Sequence, residues 1–147
     1  MNTLVFPIAA DIVAQMLPQK APFVLVSEIL HLTETSCTTS FAIPENHVLV
    51  FDGKLSAAGL MENIAQSCAA MMGAAGQAKG EAPKVGFIGD IRNFNCSHLP
   101  ATGEKIETTI TIENQIFDVT MIAGTVSLNN HKIADCQMKI FVKDKAP

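Results

Sequence analysis

Residues 56–77 read SAAGLMENIAQSCAAMMGAAGQ, and this stretch decides the fold. Alanine, leucine and methionine favour a helix here, while Gly80 and Pro83 follow where a helix is expected to end. Apolar residues occur on nearly every side of this helix, so it must be covered over most of its surface. Its many small residues allow a sheet or another helix to approach closely.

The sequence on both sides of this helix predicts strands. Ahead of it, helical spacing over residues 7–17 predicts a short helix, and β-rich runs over 22–32 and 37–43 predict two strands. After it, strands are expected over 84–96, 105–115, 117–128 and 131–142, with turns at Thr102-Gly103 and Asn129-Asn130, while Asp52-Gly53 predicts a turn just ahead of the helix. The pattern predicts one α+β domain over 1–147, in which a curved antiparallel sheet wraps a long central helix.

Composition excludes several function classes. The 147 residues include 48% hydrophobic and 16% charged residues, with a net charge of -4 and no lysine or arginine cluster, so no nucleic-acid partner is expected. The longest apolar segment contains Glu62, Asn63 and Gln66, which argues against a membrane span. So short a chain cannot cover its central helix alone, and a dimer or higher oligomer is predicted.

The cysteines and histidines indicate neither disulfides nor metal. Four cysteines lie far apart without a C-x-x-C pair, which favours reduced, buried thiols, and the four histidines lack ligand spacing. No metal site is therefore proposed, and no other cofactor is expected. The N-terminal residues have no basic region before their apolar stretch, which indicates a cytoplasmic protein without a secretory signal.

A polar stripe on the central helix is the candidate catalytic feature. Glu62 and Gln66 lie one turn apart, as do Asn63 and Ser67, on an otherwise apolar helix. Burial raises the pKa of a carboxyl group and allows a glutamate to donate a proton at neutral pH. Glu62 is therefore the leading candidate for a general acid. The alternative is a Glu62 held by a local amide such as Gln66, or one that reaches solvent at a dimer edge.

Three motifs in order resemble one family over nearly the whole chain. Residues 17–26 read LPQKAPFVLV, residues 62–66 read ENIAQ, and residues 86–104 contain Phe87, Gly89, Phe94, Pro100 and Gly103. Together they resemble the hotdog-fold 3-hydroxyacyl-carrier-protein dehydratases of fatty acid synthesis. Asp52-Gly53-Lys54-Leu55 before the helix is closer to divergent dehydratase-like proteins of aryl-polyene and flexirubin-type pigment synthesis.

The resemblance implies removal of water from a 3-hydroxyacyl thioester. A histidine would take the α-proton, Glu62 would protonate the departing hydroxyl, and a backbone N–H near the helix start would stabilise the thioester oxygen. His47 is the candidate base, although it lies one residue before the family's histidine position, and Ser56-Ala57 replaces the family's Pro-Gly pair. The substrate-binding residues implied are Phe51, Ala57, Gly59, Gln66, Phe87 and Gly89.

Three functions follow as hypotheses. The first is a dehydratase that acts on thioesters of acyl carrier protein or coenzyme A, as a homodimer or larger assembly. The second is a non-catalytic acyl-binding subunit in a hetero-oligomer with a related hotdog subunit, because the family's histidine segment is incomplete. The third is a hotdog thioesterase that uses Asp52 or Glu62 to activate water.

Overall fold

A six-stranded antiparallel sheet and one long helix dominate the structure, a computed structural model that describes residues 4–143. In chain order the elements are α1 (Ala10–Met16), β1 (Ile29–Leu32), β2 (Ser36–Ala42), β3 (Val50–Phe51), β4 (Lys54–Leu55), α2 (Ala57–Ala78), β5 (Val85–Cys96), β6 (Lys105–Ile116), β7 (Val119–Leu128) and β8 (His131–Lys143). The strand order in the sheet is β1-β2-β6-β7-β8-β5, and β3 and β4 form a separate small hairpin.

The helix α2 lies against the sheet and contacts β2, β5, β6, β7 and β8. This is the predicted α+β architecture, a long helix wrapped by an antiparallel sheet. None of the helices in residues 4–143 combines the length and the hydropathy needed to cross a membrane.

Local signals in the sequence define the ends of α2. At its start the Ser56 hydroxyl accepts a hydrogen bond from the Gly59 N–H at 3.1 Å, which satisfies one of the free amides of the first turn. At its end Gly80 adopts a left-handed conformation with φ of +75°, which glycine tolerates without strain. The prediction of a helix over 56–77 is confirmed.

Two glycines allow α2 to pack closely against its neighbours. A Cβ atom at Gly124 on β7 would collide with the Ile64 side chain of α2. A Cβ atom at Gly73 on α2 would collide with the backbone carbonyl of Met16 at the end of α1. These contacts confirm the prediction that small residues allow the sheet and another helix to approach α2 closely.

The alternation in β6 is confirmed by its burial. Ile106 and Ile110 are fully buried, whereas Glu107 and Thr109, which lie between them in sequence, are exposed. One face of this strand covers α2 and the other meets solvent, as expected for an antiparallel sheet.

Three sequence predictions need correction. The run over 22–32 forms a strand only at Ile29–Leu32, because side chains of α2 bind the backbone of its first part. The first helix begins at Ala10 rather than at residue 7. Cys96 is exposed, while the other three cysteines are buried as predicted.

The strand β5 forms one edge of the sheet. Within residues 4–143 it pairs with β8 alone, and its register shifts between Ile88 and Asp90. Gly89 lies in this bulge beneath the Phe141 ring, which a Cβ atom at Gly89 would displace. Phe87 and Ile88 are exposed beside it, with 56% and 38% of their surface accessible. An exposed apolar edge of this kind is a ready surface for another chain.

Candidate functional site

Most of the polar stripe on α2 is structural. The Asn63 amide donates to the Leu25 carbonyl at 2.8 Å and accepts from the Thr108 hydroxyl. The Ser67 hydroxyl donates to the Asn63 carbonyl at 2.8 Å and lies 2.7 Å from the Thr39 hydroxyl. These bonds join the helix to the sheet through buried groups, each of which needs a partner.

Gln66 completes this framework. Its Oε1 accepts from the Leu25 N–H at 2.7 Å, and its Nε2 donates to the Phe23 carbonyl at 2.9 Å. The backbone there has no strand partner, so the amides of Gln66 and Asn63 replace one. Gln66, a predicted substrate contact, is buried, and both polar atoms of its amide bind the backbone.

Glu62 differs from its neighbours on the stripe because it lines a cavity. The side chain is partly buried and forms no hydrogen bond or ion pair with other residues of the range 4–143. The cavity has a volume of about 240 Å³ and lies between α2, β5 and β8. Its lining residues are Gln19, Glu62, Ala65, Cys68, Ala69, Met72, Lys84, Gly86, Phe87, Ile88, Ile140 and Val142.

The cavity wall is mainly apolar, and its thiol is unreactive at neutral pH. Met72, Phe87 and Ile140 offer a surface that suits an acyl chain. Burial raises the pKa of the Cys68 thiol to about 12, so this thiol stays protonated at neutral pH. Cys68 therefore contributes packing, and Glu62 is the carboxyl group of this wall, which Lys84 also lines.

His47, the predicted base, is held by hydrogen bonds to the backbone and is not part of the cavity lining. The ring is buried, its Nδ1 accepts from the Leu49 N–H at 3.1 Å, and its Nε2 lies 3.0 Å from the Val24 carbonyl. Because Nδ1 accepts, Nε2 carries the proton and donates a hydrogen bond to the Val24 carbonyl. His47 is not among the residues that line the Glu62 cavity. Its role as the base stays a prediction.

The other predicted substrate contacts lie in three places. Phe87 lines the cavity, and Gly89 supports the Phe141 ring next to it. Ala57 and Gly59 form the first turn of α2, where a Cβ atom at Gly59 would collide with Leu55. Phe51 is exposed on the small hairpin. Of the six, Phe87 is the one that shares the cavity with Glu62.

Asp52 and Asp90, two further acidic residues, lie outside the cavity. Asp52 is exposed and, with Gly53, forms the two-residue turn of the β3–β4 hairpin, with a φ of 53°. Asp90 accepts from the Arg92 guanidinium at 2.7 Å in a surface ion pair. Within residues 4–143, no three histidine, cysteine or acidic side chains are placed to hold a metal ion.

The sequence and the fold identify one family. Residues 12–147 match the ApeP-like family model, whose description is ApeP dehydratase. The chain belongs to this family. The match confirms the resemblance to dehydratases and to their divergent aryl-polyene branch. A search of curated protein sequences found no match.

Solved structures support the fold of this ApeP-like protein. It is similar to the dehydratase heterocomplex ApeI:P from Xenorhabdus doucetiae, with a TM-score of 0.84, 18% identity, and 97% and 94% of the two chains covered. It is also similar to Cj0977, a sigma28-regulated virulence protein from Campylobacter jejuni, with a TM-score of 0.68, 10% identity and coverages of 92% and 91%. A third is smu.793 from Streptococcus mutans bound to acetyl CoA, with a TM-score of 0.65, 11% identity and coverages of 89% and 98%. The hotdog fold is thereby confirmed.

Sequence reasoning missed part of the cavity. Gln19 and Lys84 line it, although neither stands out in composition or spacing. Gln19 belongs to the LPQKAPF motif, which was the one available signal. Its position beside Glu62 depends on contacts between distant parts of the chain, which periodicity does not report.

Proposed function

We propose that this ApeP-like protein binds 3-hydroxyacyl thioesters in the Glu62 cavity and takes part in their dehydration to trans-2-enoyl thioesters. The observation that carries the proposal is the Glu62 carboxyl group, which has no partner among residues 4–143 and lines a largely apolar cavity. An acid in such a wall can be held next to a departing hydroxyl, with little water to compete. Membership of the ApeP-like family supports this reaction class.

The proposed elimination needs two proton transfers. A base takes the α-proton, the electrons form the Cα–Cβ double bond, and the C–O bond at Cβ breaks. Glu62 gives its proton to the departing oxygen, and water leaves. Because His47 does not line the cavity of its own chain, we propose that the base enters from a second subunit. In a homodimer it would be the partner's own histidine, and in a mixed assembly it would belong to a related hotdog subunit.

The edge strand β5 is the proposed contact for that subunit. Phe87 and Ile88 are exposed on it and also line the cavity, so a chain that covers this edge would close the site. The similar ApeI:P structure is a heterocomplex, which favours a mixed assembly. A non-catalytic role is the second candidate, supported by the two hydrogen bonds that occupy the His47 ring.

The carrier of the acyl group is also a proposal. We propose an acyl carrier protein or coenzyme A thioester, and acetyl CoA in the similar Streptococcus mutans structure supports the second of these. The cytoplasmic location expected from the sequence stays a prediction.

Turnover measurements test the proposal. The chain, alone and mixed with a hotdog dehydratase subunit of the same organism, is supplied with 3-hydroxyacyl-coenzyme A and 3-hydroxyacyl carrier protein, and the enoyl product is followed. Glu62→Gln should lower kcat by about 100-fold or more, as loss of a general acid does. Glu45→Gln, the same change on an exposed glutamate, should leave kcat unchanged.

The outcomes separate the alternatives. Activity that needs both subunits and is unaffected by Glu62→Gln would favour the non-catalytic role. Release of free thiol without an enoyl product would favour a thioesterase. Absence of turnover and of acyl-analogue binding in every mixture would refute the proposal.

A further inference from the structure

Gln19 is a polar residue in the lining of the Glu62 cavity and has an unusual buried oxygen. Its Oε1 has no hydrogen-bond partner within residues 4–143 and is shielded from solvent. A buried acceptor without a donor is unfavourable, and such groups in native proteins call for an explanation. Gln19 lines the cavity, so a ligand there can supply the missing donor once the Gln19 amide turns and brings Oε1 toward it.

The backbone around Gln19 holds it in place. Leu17 before it is fully buried, and the Lys20 ammonium after it donates to the Ala14 and Leu17 carbonyls, each at 3.3 Å. Further along, Gln66 binds the Phe23 carbonyl. Both sides of the Gln19 backbone are thus anchored, while its terminal amide can turn about a broad χ3 minimum and direct Oε1 into the cavity.

The missing donor can be identified from the Gln19 oxygen and from Glu62 in the same cavity. An amide oxygen accepts and does not donate, so it recognises an O–H or N–H group. We infer that Gln19 accepts a hydrogen bond from the 3-hydroxyl of the substrate and makes the cavity selective for 3-hydroxyacyl over unsubstituted acyl groups. This inference rests on the proposed function, since the hydroxyl is the group that Glu62 protonates.

Gln19 and Glu62 would then both contact the 3-hydroxyl oxygen of the substrate, each in a different role. The hydroxyl hydrogen points to Gln19 Oε1, which leaves an oxygen lone pair for the Glu62 proton. After elimination the product has no hydroxyl, and Gln19 again lacks a donor once water departs. Gln19 therefore favours the substrate over the product, and it is a specificity residue that transfers no proton.

Binding of two amide analogues tests this assignment. The probes are 3-hydroxyoctanoyl-pantetheine and octanoyl-pantetheine with the thioester replaced by an amide, whose α-proton is too weakly acidic for turnover. Calorimetric titration of the full chain should show that the hydroxylated probe binds about 3- to 10-fold more tightly, the range of one net hydrogen bond. In Gln19→Met this ratio should fall to about one, with binding of octanoyl-pantetheine amide unchanged.

Controls distinguish the ways in which the assignment could fail. Gln15→Met makes the same change on an exposed position of α1 and should keep the wild-type ratio. Equal binding of the two probes to the wild type, or an unchanged ratio in Gln19→Met, would overturn the role of Gln19 alone. Equal weakening of both probes in Gln19→Met would assign Gln19 to the shared pantetheine arm and overturn the hydroxyl contact. Failure of both probes to bind the wild type would refute the proposed function itself.

Discussion

Replacement of Gln66 by leucine should destabilise the protein, because this amide holds a backbone segment that lacks a strand partner. Its Oε1 accepts from the Leu25 N–H at 2.7 Å, and its Nε2 donates to the Phe23 carbonyl at 2.9 Å. Leucine is close to glutamine in size but has no polar atom. Both backbone groups would therefore lose their partners while the surrounding packing stays similar.

The size of the effect follows from where each group lies. The Leu25 N–H is buried, so leaving it without a partner costs about 1–3 kcal/mol. The Phe23 carbonyl is only partly buried and can find water, so its loss costs about 0.5–1 kcal/mol. The expected loss in the free energy of unfolding is about 1.5–4 kcal/mol. For a chain of this length that corresponds to a decrease in Tm of about 5–15 °C.

Urea unfolding followed by far-ultraviolet circular dichroism measures this loss. Gln77→Leu is the matched control, because Gln77 is exposed near the end of the same helix and its replacement should change stability by less than about 0.5 kcal/mol. If Gln66→Leu costs no more than Gln77→Leu, the amide does not hold the segment and the reasoning is refuted.

Two further predictions concern thiols and packing. Burial raises the pKa of Cys68 from about 9 to about 12, so the unfolded thiol ionises first and the free energy of unfolding should fall as pH rises through this window. Urea titrations at increasing pH check this, and a fall equally steep in Cys68→Ala would contradict it. Gly124→Val should cost about 1–3 kcal/mol, because its side chain would collide with Ile64. An unchanged Tm in a thermal unfolding scan would show that α2 does not lie that close to β7.

The helix and the long strands were predictable because their signals are local. The small and apolar residues of α2 indicate a covered helix wherever it packs, and the Ile106–Ile110 alternation in β6 has the period of a strand with one wet face. Ser27 and Glu28 already exchange backbone hydrogen bonds with Ser40 of β2, but the strand prediction is wrong over residues 22–26, whose β-rich composition is indistinguishable from that of a strand. What prevents pairing there is the set of side-chain bonds from Gln66 and Asn63, which are about 40 residues away in sequence.

The candidate site likewise contains residues that the local sequence identifies and residues that only long-range contacts identify. Glu62 could be identified because an acidic residue on an apolar helix is unusual in the sequence alone. Gln19 could not, because its proposed role depends on an oxygen that lacks a partner within residues 4–143, on a side chain that lines a cavity between α2, β5 and β8.

The hydrogen bonds of His47 bear on how the proposed proton transfers are divided between two chains. Its Nδ1 lone pair is directed at the Leu49 N–H, and its Nε2 proton at the Val24 carbonyl. To act as a base it would have to exchange the Leu49 contact for a substrate α-proton. A second chain on the β5 edge could supply a base without that exchange, since the cavity reaches this edge at Phe87 and Ile88. The proposed catalytic unit is therefore the assembly, in which this chain supplies the acid.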